Sequence, residues 1–301
     1  MQSPIFYLRN PRIFLSVILI VFSRWIPETL YLKLMFRLNV GYRLNLKNPT
    51  TFNEKLQWLK LYDRNPLYTK MVDKCGAKEY VSSIIGEEYI IPTFGVWLKP
   101  DDIDWNILPD QFVLKTTHGS GGSSVIICTD KKNIDKNSVK EKLKWSLSKS
   151  DTYLHYKEWP YKDIEKKIIA EQFLSENGKI PNDYKIHCFN GIPKFILVCR
   201  DRYSDTGLVD DFYTPEWEHM DVKRPNKKNP GGIPKPAELN TMLKLATILS
   251  AKIPFVRVDF YTLNGKVYFG ELTFYPASGL VPFCPFEYDL KFGQWLTLPK
   301  L

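Results

Sequence analysis

The stretch RVDFYTLNGKVYFGELTFYP, residues 257–276, decides the reading of this chain. Two runs rich in β-branched and aromatic residues flank Asn264-Gly265, a dipeptide suited to the left-handed backbone of a tight hairpin turn. Each run carries one acid among apolar neighbours, Asp259 on the first and Glu271 on the second. A carboxylate on a half-buried sheet has given up water and needs a cation or hydrogen-bond donors in return. The segment therefore predicts a positive group over the hairpin, and a divalent cation carrying a phosphate meets that need.

Register decides whether the two acids meet. A two-residue loop pairs 259 with 270 and 258 with 271, which puts Glu271 on the face of Val256, Val258 and Phe260. A three-residue loop, Leu263-Asn264-Gly265 with Gly265 as the left-handed residue of a bulge, pairs 259 with 269 and 257 with 271. Arg257, Asp259, Glu271 and Thr273 then share one face, because side chains alternate along a strand. The acids become diagonal neighbours with Cβ atoms about 7 Å apart, a spacing that hard cations with oxygen ligands bridge. The three-residue loop is the expectation. An ion pair of Arg257 with one acid is the alternative that the hairpin alone leaves open.

Around this hairpin the composition is that of an ordered globular protein, with 14% aromatic and 25% charged residues in 301, enough for one large domain or two. Lys plus Arg outnumber Asp plus Glu, 42 to 33, a net charge of +9 that points to anionic partners: a nucleotide, an acidic polymer or a membrane surface. No nucleic-acid motif accompanies the charge, so no nucleic acid is expected. The five cysteines form no CxxC pair, and Cys128, Cys188 and Cys199 sit in strand-like runs. They read as buried thiols of a cytoplasmic protein. Residues 13–22 are nine apolar residues and one Ser between Arg12 and Arg24, short of the ~20 that a spanning helix needs. A helix in the membrane interface, at the inner face of the plasma membrane, and a helix packed on the body of the protein are equally open.

Helical patterns cover 28–38, 52–62 and 66–85. Thr51 and Glu54 form a capping box for the second, Leu56, Trp58 and Leu59 give it an apolar side, and Gly86 ends the third. The region up to about 110 thus reads as largely helical. Strands at 111–115 and 124–128 flank THGSGGSS, followed by a helix at 138–149, a strand at 167–174 and a hairpin turning at Asn190-Gly191. Residues 201–236 read as an irregular substrate loop, and Leu239, Met242, Leu243 and Ala246 recur at helical spacing. Antiparallel hairpins with interspersed helices make the class α+β. Lys115 ends a strand just before Gly119, Ser120, Gly121, Gly122 and Ser123, whose free backbone suits wrapping an anion, though a plain surface turn is equally compatible. No GK[ST] follows, so this is not a P-loop. Lys185 alternates with Asp183 and His187 and shares their strand face.

Six segments in order, NLKNPTTFNEKLQWLKLYDRN, VDKCGAKEYV, FVLKTTHGSGGSSVI, IIAEQFL, DYKIHCFNG and the opening hairpin, resemble the ATP-grasp superfamily over roughly residues 40–295. The likeness is to its TupA-like branch, which acts in cell-surface polysaccharide synthesis. It implies two α+β lobes clamping ATP with Mg²⁺. The parts would be an N-terminal apolar segment (1–49), a helical subdomain (50–110), a lobe with a glycine-rich lid (111–174) and a C-terminal lobe with the metal hairpin (175–301). By the same resemblance Lys74, Lys115 and Lys185 contact phosphates, and Gly119 to Ser123 form the lid. Glu171, Gln172 and Leu174 belong to the hinge edging adenine. Asp259, Glu271 and Thr273 hold metal, and Arg257, with Lys115, assists phosphoryl transfer. Thr273 stands where the family commonly has Asn, and Ala277 where it commonly has Gly.

The resemblance implies an ATP-dependent ligase. A uronic acid of an anionic glycan or its precursor would be activated as an acyl phosphate and joined to a small amine, an amino acid or amino alcohol. The basic run Lys223, Arg224, Lys227 and Lys228 would guide the polymer or simply face solvent. The alternatives are a glycosyltransferase using Asp210-Asp211, a kinase on the same fold, and a non-enzymatic subunit of a glycan assembly held at the membrane through residues 11–26.

Overall fold

The computed structural model describes residues 11–119, 125–149, 152–175, 180–200, 209–225 and 227–300. Two antiparallel sheets organise it. Strands β1 (Thr93–Trp97), β2 (Phe112–Thr116), β3 (Val125–Cys128) and β4 (Ile168–Gln172) lie in the order β1-β4-β2-β3. Strands β5 (Asp183–Phe189), β6 (Ile192–Arg200), β7 (Val209–Tyr213), β8 (Phe255–Leu263) and β9 (Lys266–Thr273) lie in the order β7-β6-β5-β8-β9. The class is α+β, as expected. Two strands were not foreseen: β1, whose five residues fall in a region read as helical, and β7, inside the segment read as irregular.

Period-two alternation gives each sheet its faces. In the first, Phe112, Leu114, Ile168 and Ala170 pack with Val139 and Leu143 of helix α6 (Lys136–Ser148). Lys115 and Glu171 are thereby left on the other face. In the second, Val256, Val258 and Phe260 join the core with Leu245, Ala246 and Leu249 of helix α8 (Leu239–Leu249). The opposite face begins as an aromatic cluster, in which Phe255 meets Phe52 at 4.9 Å and Phe195 meets Phe292 at 4.5 Å between ring centroids. It then turns polar through His187, Lys185, Arg257 and Asp259, all buried.

The hairpin corrects the expected register. Leu263 pairs with Lys266, so the loop is the two residues Asn264 and Gly265, both left-handed (φ 51° and 74°). Such a turn matches the right-handed twist of the strands it joins. The bulge lies instead on β9: Asp259 pairs with Glu271 and Phe260 with Phe269, leaving Gly270 unpaired. A Cβ at Gly270 would stand 3.1 Å from the Tyr261 ring and 3.2 Å from the Asp259 carbonyl, so a glycine suits this close approach. The extra residue restores Glu271 to the face of Asp259. Face sharing was foreseen correctly, and the device that produces it was misplaced.

Helices α1 (Pro11–Val21), α2 (Glu28–Asn39), α3 (Phe52–Tyr62), α4 (Leu67–Val72) and α5 (Lys74–Ile85) precede the sheets, and α7 (Thr152–Tyr156) and α9 (Glu287–Trp295) complete the set used below. The capping box at α3 forms as expected: Thr51 Oγ1 accepts from the Glu54 amide at 3.1 Å, and the Glu54 carboxylate accepts from the Thr51 amide at 3.2 Å. The pattern over 66–85 is two helices, because Asp73 is extended and its carboxylate accepts from the Gly76 amide at 2.8 Å. Asp73 thus caps a new helix and sets Lys74 at its first position. Cys128, Cys188 and Cys199 are buried. Helix α1 rests Leu19 and Ile20 partly against the cluster of Tyr31, Leu32, Met35 and Phe36, while none of its residues is fully buried. No described helix is long and apolar enough to cross a membrane.

Candidate nucleotide and metal site

Strand pairing places Lys185 opposite Asp259 and His187 opposite Arg257, while Asp259 faces Glu271 on its other side. Arg257 forks onto Asp259, Nε donating to Oδ1 at 2.6 Å and Nη2 to Oδ2 at 2.7 Å, and Nη2 also donates to Glu271 Oε1 at 2.6 Å. Lys185 Nζ donates to Asp259 Oδ2 and pairs with Asp183 Oδ2 at 2.6 Å. Thr273 Oγ1 donates to Glu271 Oε1 at 3.4 Å. The ion pair left open by the sequence is present, and it spans both acids.

The charges condition one another. Burial alone would lower Lys185 and Arg257, but Asp183 and Asp259 raise the lysine, and Asp259 and Glu271 raise the arginine. Burial would raise Glu271, yet Arg257 and Lys185 hold it down at about 2. Asp259 is pushed up by burial, then drawn back by Arg257 and Lys185. His187 stacks on Phe195 at 4.0 Å, and burial and the neighbouring Arg257 hold it well below the usual imidazole range. It is a neutral spacer between cations.

These donors fit Mg²⁺. Two carboxylates and a hydroxyl offer only oxygen, and the Glu271 side chain remains 43% exposed, which suits an ion that keeps waters and phosphate oxygens among its ligands. Arg257 and Lys185 now occupy the charge a metal would share.

Across from this set stands a second cluster. Glu171 pairs with Lys115 and, at 2.7 Å, with Lys78, and the two lysines overcome burial to hold it at about 2. Lys74 Nζ donates to the Gly119 carbonyl. Burial lowers Lys74, and the strongest opposing pull on it comes from Glu271 of the other sheet. A cavity of about 270 Å³ joins the two groups, with Lys74, Gly119, Lys185, Arg257, Glu271 and Thr273 in its wall. Lys115, paired with Glu171, is not among the lining residues. Gln172 is exposed, Leu174 is buried, and neither lines the cavity. Ser120, Gly121, Gly122 and Ser123 lie outside the described residues.

Several participants were not singled out from sequence. Lys78, one turn after Lys74, was visible as an i,i+4 pair. Asn53, Gln57 and Lys60 form a polar stripe on α3 at spacings of four and three, which reads as a solvated face, yet all three are buried. Arg224 departs from the basic run in which it was grouped: it lies over the rings of Phe212 and Phe283 at 5.8 and 5.7 Å, whereas Lys223 and Lys228 are exposed. Asp210 and Asp211 face opposite sides of β7. Asp211 pairs with Arg200 Nε at 2.9 Å and Asp210 accepts from Cys199 Sγ, so they form no joint metal site.

The fold is that of an ATP-grasp protein. The chain belongs to the TupA-like ATP-grasp family, whose model matches residues 54–297. Among solved structures it is similar to D-alanine–D-alanine ligase from Helicobacter pylori, with 14% identity, a TM-score of 0.47, and 84% of this chain and 68% of that one covered. It is also similar to the ATP complex of D-alanine–D-alanine ligase from Bacillus anthracis (16%, TM-score 0.42, 67% and 54%). A third likeness is to a RimK domain ATP-grasp protein from Sphaerobacter thermophilus (11%, TM-score 0.42, 78% and 70%). The chain spans 54% and 56% of the two Bacillus anthracis ligase chains that it matches. Among curated proteins none matches the chain.

Proposed function

We propose that the protein is an ATP-dependent carboxylate–amine ligase that joins a small amine to a uronic acid of an anionic cell-surface glycan or its precursor. The observation that carries this reading is the ion network of buried Arg257, Asp259 and Lys185 with part-exposed Glu271, set on the same cavity as Lys74. Phosphoryl transfer requires fixed positive charge around oxygens that gain negative charge, and preorganised cations supply it without reorganisation. Lys74 and Lys185 would bind phosphate oxygens, and Lys115 would join them on leaving Glu171. Arg257 would steady the phosphoryl group as it passes to the carboxylate. Asp259, Glu271 and Thr273 would hold Mg²⁺, which when bound neutralises phosphate charge. The net charge of +9 and the exposed Lys223 and Lys228 favour a polyanionic carboxylate donor.

The test is incubation with Mg-ATP, a panel of uronic acids and amines, and mass spectrometry of the products. An amide together with ADP and phosphate is expected. A stable phosphorylated sugar would make the protein a kinase instead, and turnover confined to sugar nucleotides would sink both readings.

We also propose that α1 and the outer side of α2 seat on an anionic lipid surface. Ile13, Phe14, Val17 and Val21 of α1, Phe22 and Trp25 beyond it, and Leu30 and Leu34 of α2 are all exposed. Arg12, Arg24, Lys33 and Arg37 stand exposed among them. Apolar side chains ringed by basic ones, with aromatics at the end of the helix, match an interface whose acyl boundary lies under negative headgroups.

A further inference from the structure

The cavity has a second end that phosphate chemistry does not use. Beyond Thr273 its wall continues through Tyr156, Glu158, Tyr161, Tyr275 and Ser278. Glu158 is 5% exposed. Among the described residues its carboxylate accepts one hydrogen bond, from Ser278 Oγ, and no cation lies within 4 Å. Lys60 is the nearest buried cation on this side, but its three protons are spent on other acceptors. They go to Gln57 Oε1 at 3.1 Å, the Tyr156 carbonyl at 2.9 Å and the Ser278 carbonyl at 2.8 Å. Lys60 therefore compensates Glu158 through space only. A buried carboxylate with four lone-pair sites and one donor calls for a positive partner.

The neighbourhood says which kind. Tyr156, Tyr161 and Tyr275 line the same cavity, and aromatic ring faces attract ammonium groups. A carboxylate substrate is repelled by Glu158 and drawn to Arg257, so the cavity wall sorts two reactants by charge. Ser278 is held beneath Glu158 by a turn in which Ala277 and Ser278 are both left-handed (φ 48° and 56°), a conformation that non-glycine residues adopt at a cost. Burial holds Glu158 above the usual carboxylate range against the opposing pull of Lys60, Ser278 and Arg257.

We propose that Glu158, walled by Tyr156, Tyr161 and Tyr275, is the subsite that receives the amine reactant as its ammonium ion. The proposal rests on the ligase reading above. Ethanolamine is the probe and ethylene glycol its neutral counterpart, each titrated by saturation-transfer NMR with and without Mg-AMPPNP. Ethanolamine is expected to bind and ethylene glycol not. Glu158→Gln should weaken ethanolamine at least tenfold and change AMPPNP affinity less than twofold. Tyr161→Leu, which leaves the Glu158–Lys60 pair in place, should weaken ethanolamine severalfold and covers the case in which Glu158→Gln does not fold. Ethanolamine binding that is absent, matched by ethylene glycol, or untouched by both variants overturns the subsite. Loss of AMPPNP binding with ethanolamine binding intact would strike the ligase reading and not this one.

Discussion

Ala277 and Ser278 sit with positive φ in succession before Gly279, also left-handed (φ 58°). Each non-glycine residue in that region pushes its Cβ toward its own backbone, at a cost of about 1–2 kcal/mol. Gly279 has no alternative, since a Cβ there would come within 2.6 Å of Gln57 Nε2 and 2.9 Å of Leu56 Cβ. Ala277 is exposed, so its methyl contributes little packing in return. Ala277 therefore carries backbone strain that the packing of its methyl does little to offset. Ala277→Gly is expected to stabilise the fold by about 1 kcal/mol, read as a higher urea midpoint at unchanged slope. An unchanged or lower midpoint would mean that the turn is not strained in solution.

At the scale of elements, the legible part of the sequence is whatever has a local cause. Thr51 with Glu54 announces α3 because the two hydrogen bonds close within four residues, and Asn264-Gly265 announces the hairpin because the turn needs two left-handed residues. The bulge was misplaced because Gly265 and Gly270 both offer freedom, and only packing against Tyr261 and the Asp259 carbonyl chooses between them. Strand β1 escaped notice because five residues are too few for a period, and its pairing partner β4 lies some seventy residues on. The polar stripe of α3 gave no signal for a like reason: nothing near it announces that Ser278 and Gly279 will supply acceptors for Gln57 and Lys60. Helix α1 is the reverse case, an apolar run whose outward side chains are left uncovered. Its eleven residues make about three turns, enough to lie in an interface and too few to cross it. The protein should sediment with vesicles containing phosphatidylglycerol and much less with neutral phosphatidylcholine vesicles, and added salt should weaken the binding. Replacing Ile13, Phe14 and Val17 by Ser should abolish it; equal recovery with both vesicle types, or none with either, would remove the membrane from the account.

Across the whole molecule, each sheet packs on its own core, and Lys74 from one set of charges lines the same cavity as Lys185, Arg257 and Glu271 from the other. The first sheet contributes Lys115 and Glu171, α5 contributes Lys74 and Lys78, and the second sheet contributes Lys185, Arg257, Asp259 and Glu271. A triphosphate drawn to Lys74 on one side and Lys185 on the other would tie the lobes together, and binding to the folded state alone stabilises it by mass action. At a ligand concentration a hundredfold above Kd this amounts to about 2.7 kcal/mol. Mg-AMPPNP is accordingly expected to raise the thermal midpoint of the wild type, and AMPPNP with EDTA to raise it less. Glu271→Gln is the informative variant: its side chain is 43% exposed, so the fold should tolerate it, and the amide keeps an oxygen for Arg257 while giving up the charge that holds a cation. The increment owed to Mg²⁺ should shrink in this variant, and the increment owed to nucleotide alone should persist. Thr273→Asn, which offers an amide oxygen in place of the hydroxyl, should enlarge the Mg²⁺ increment. Equal increments in all three proteins, with and without Mg²⁺, would separate the hairpin from metal binding and leave Arg257, Asp259 and Glu271 as a structural ion network.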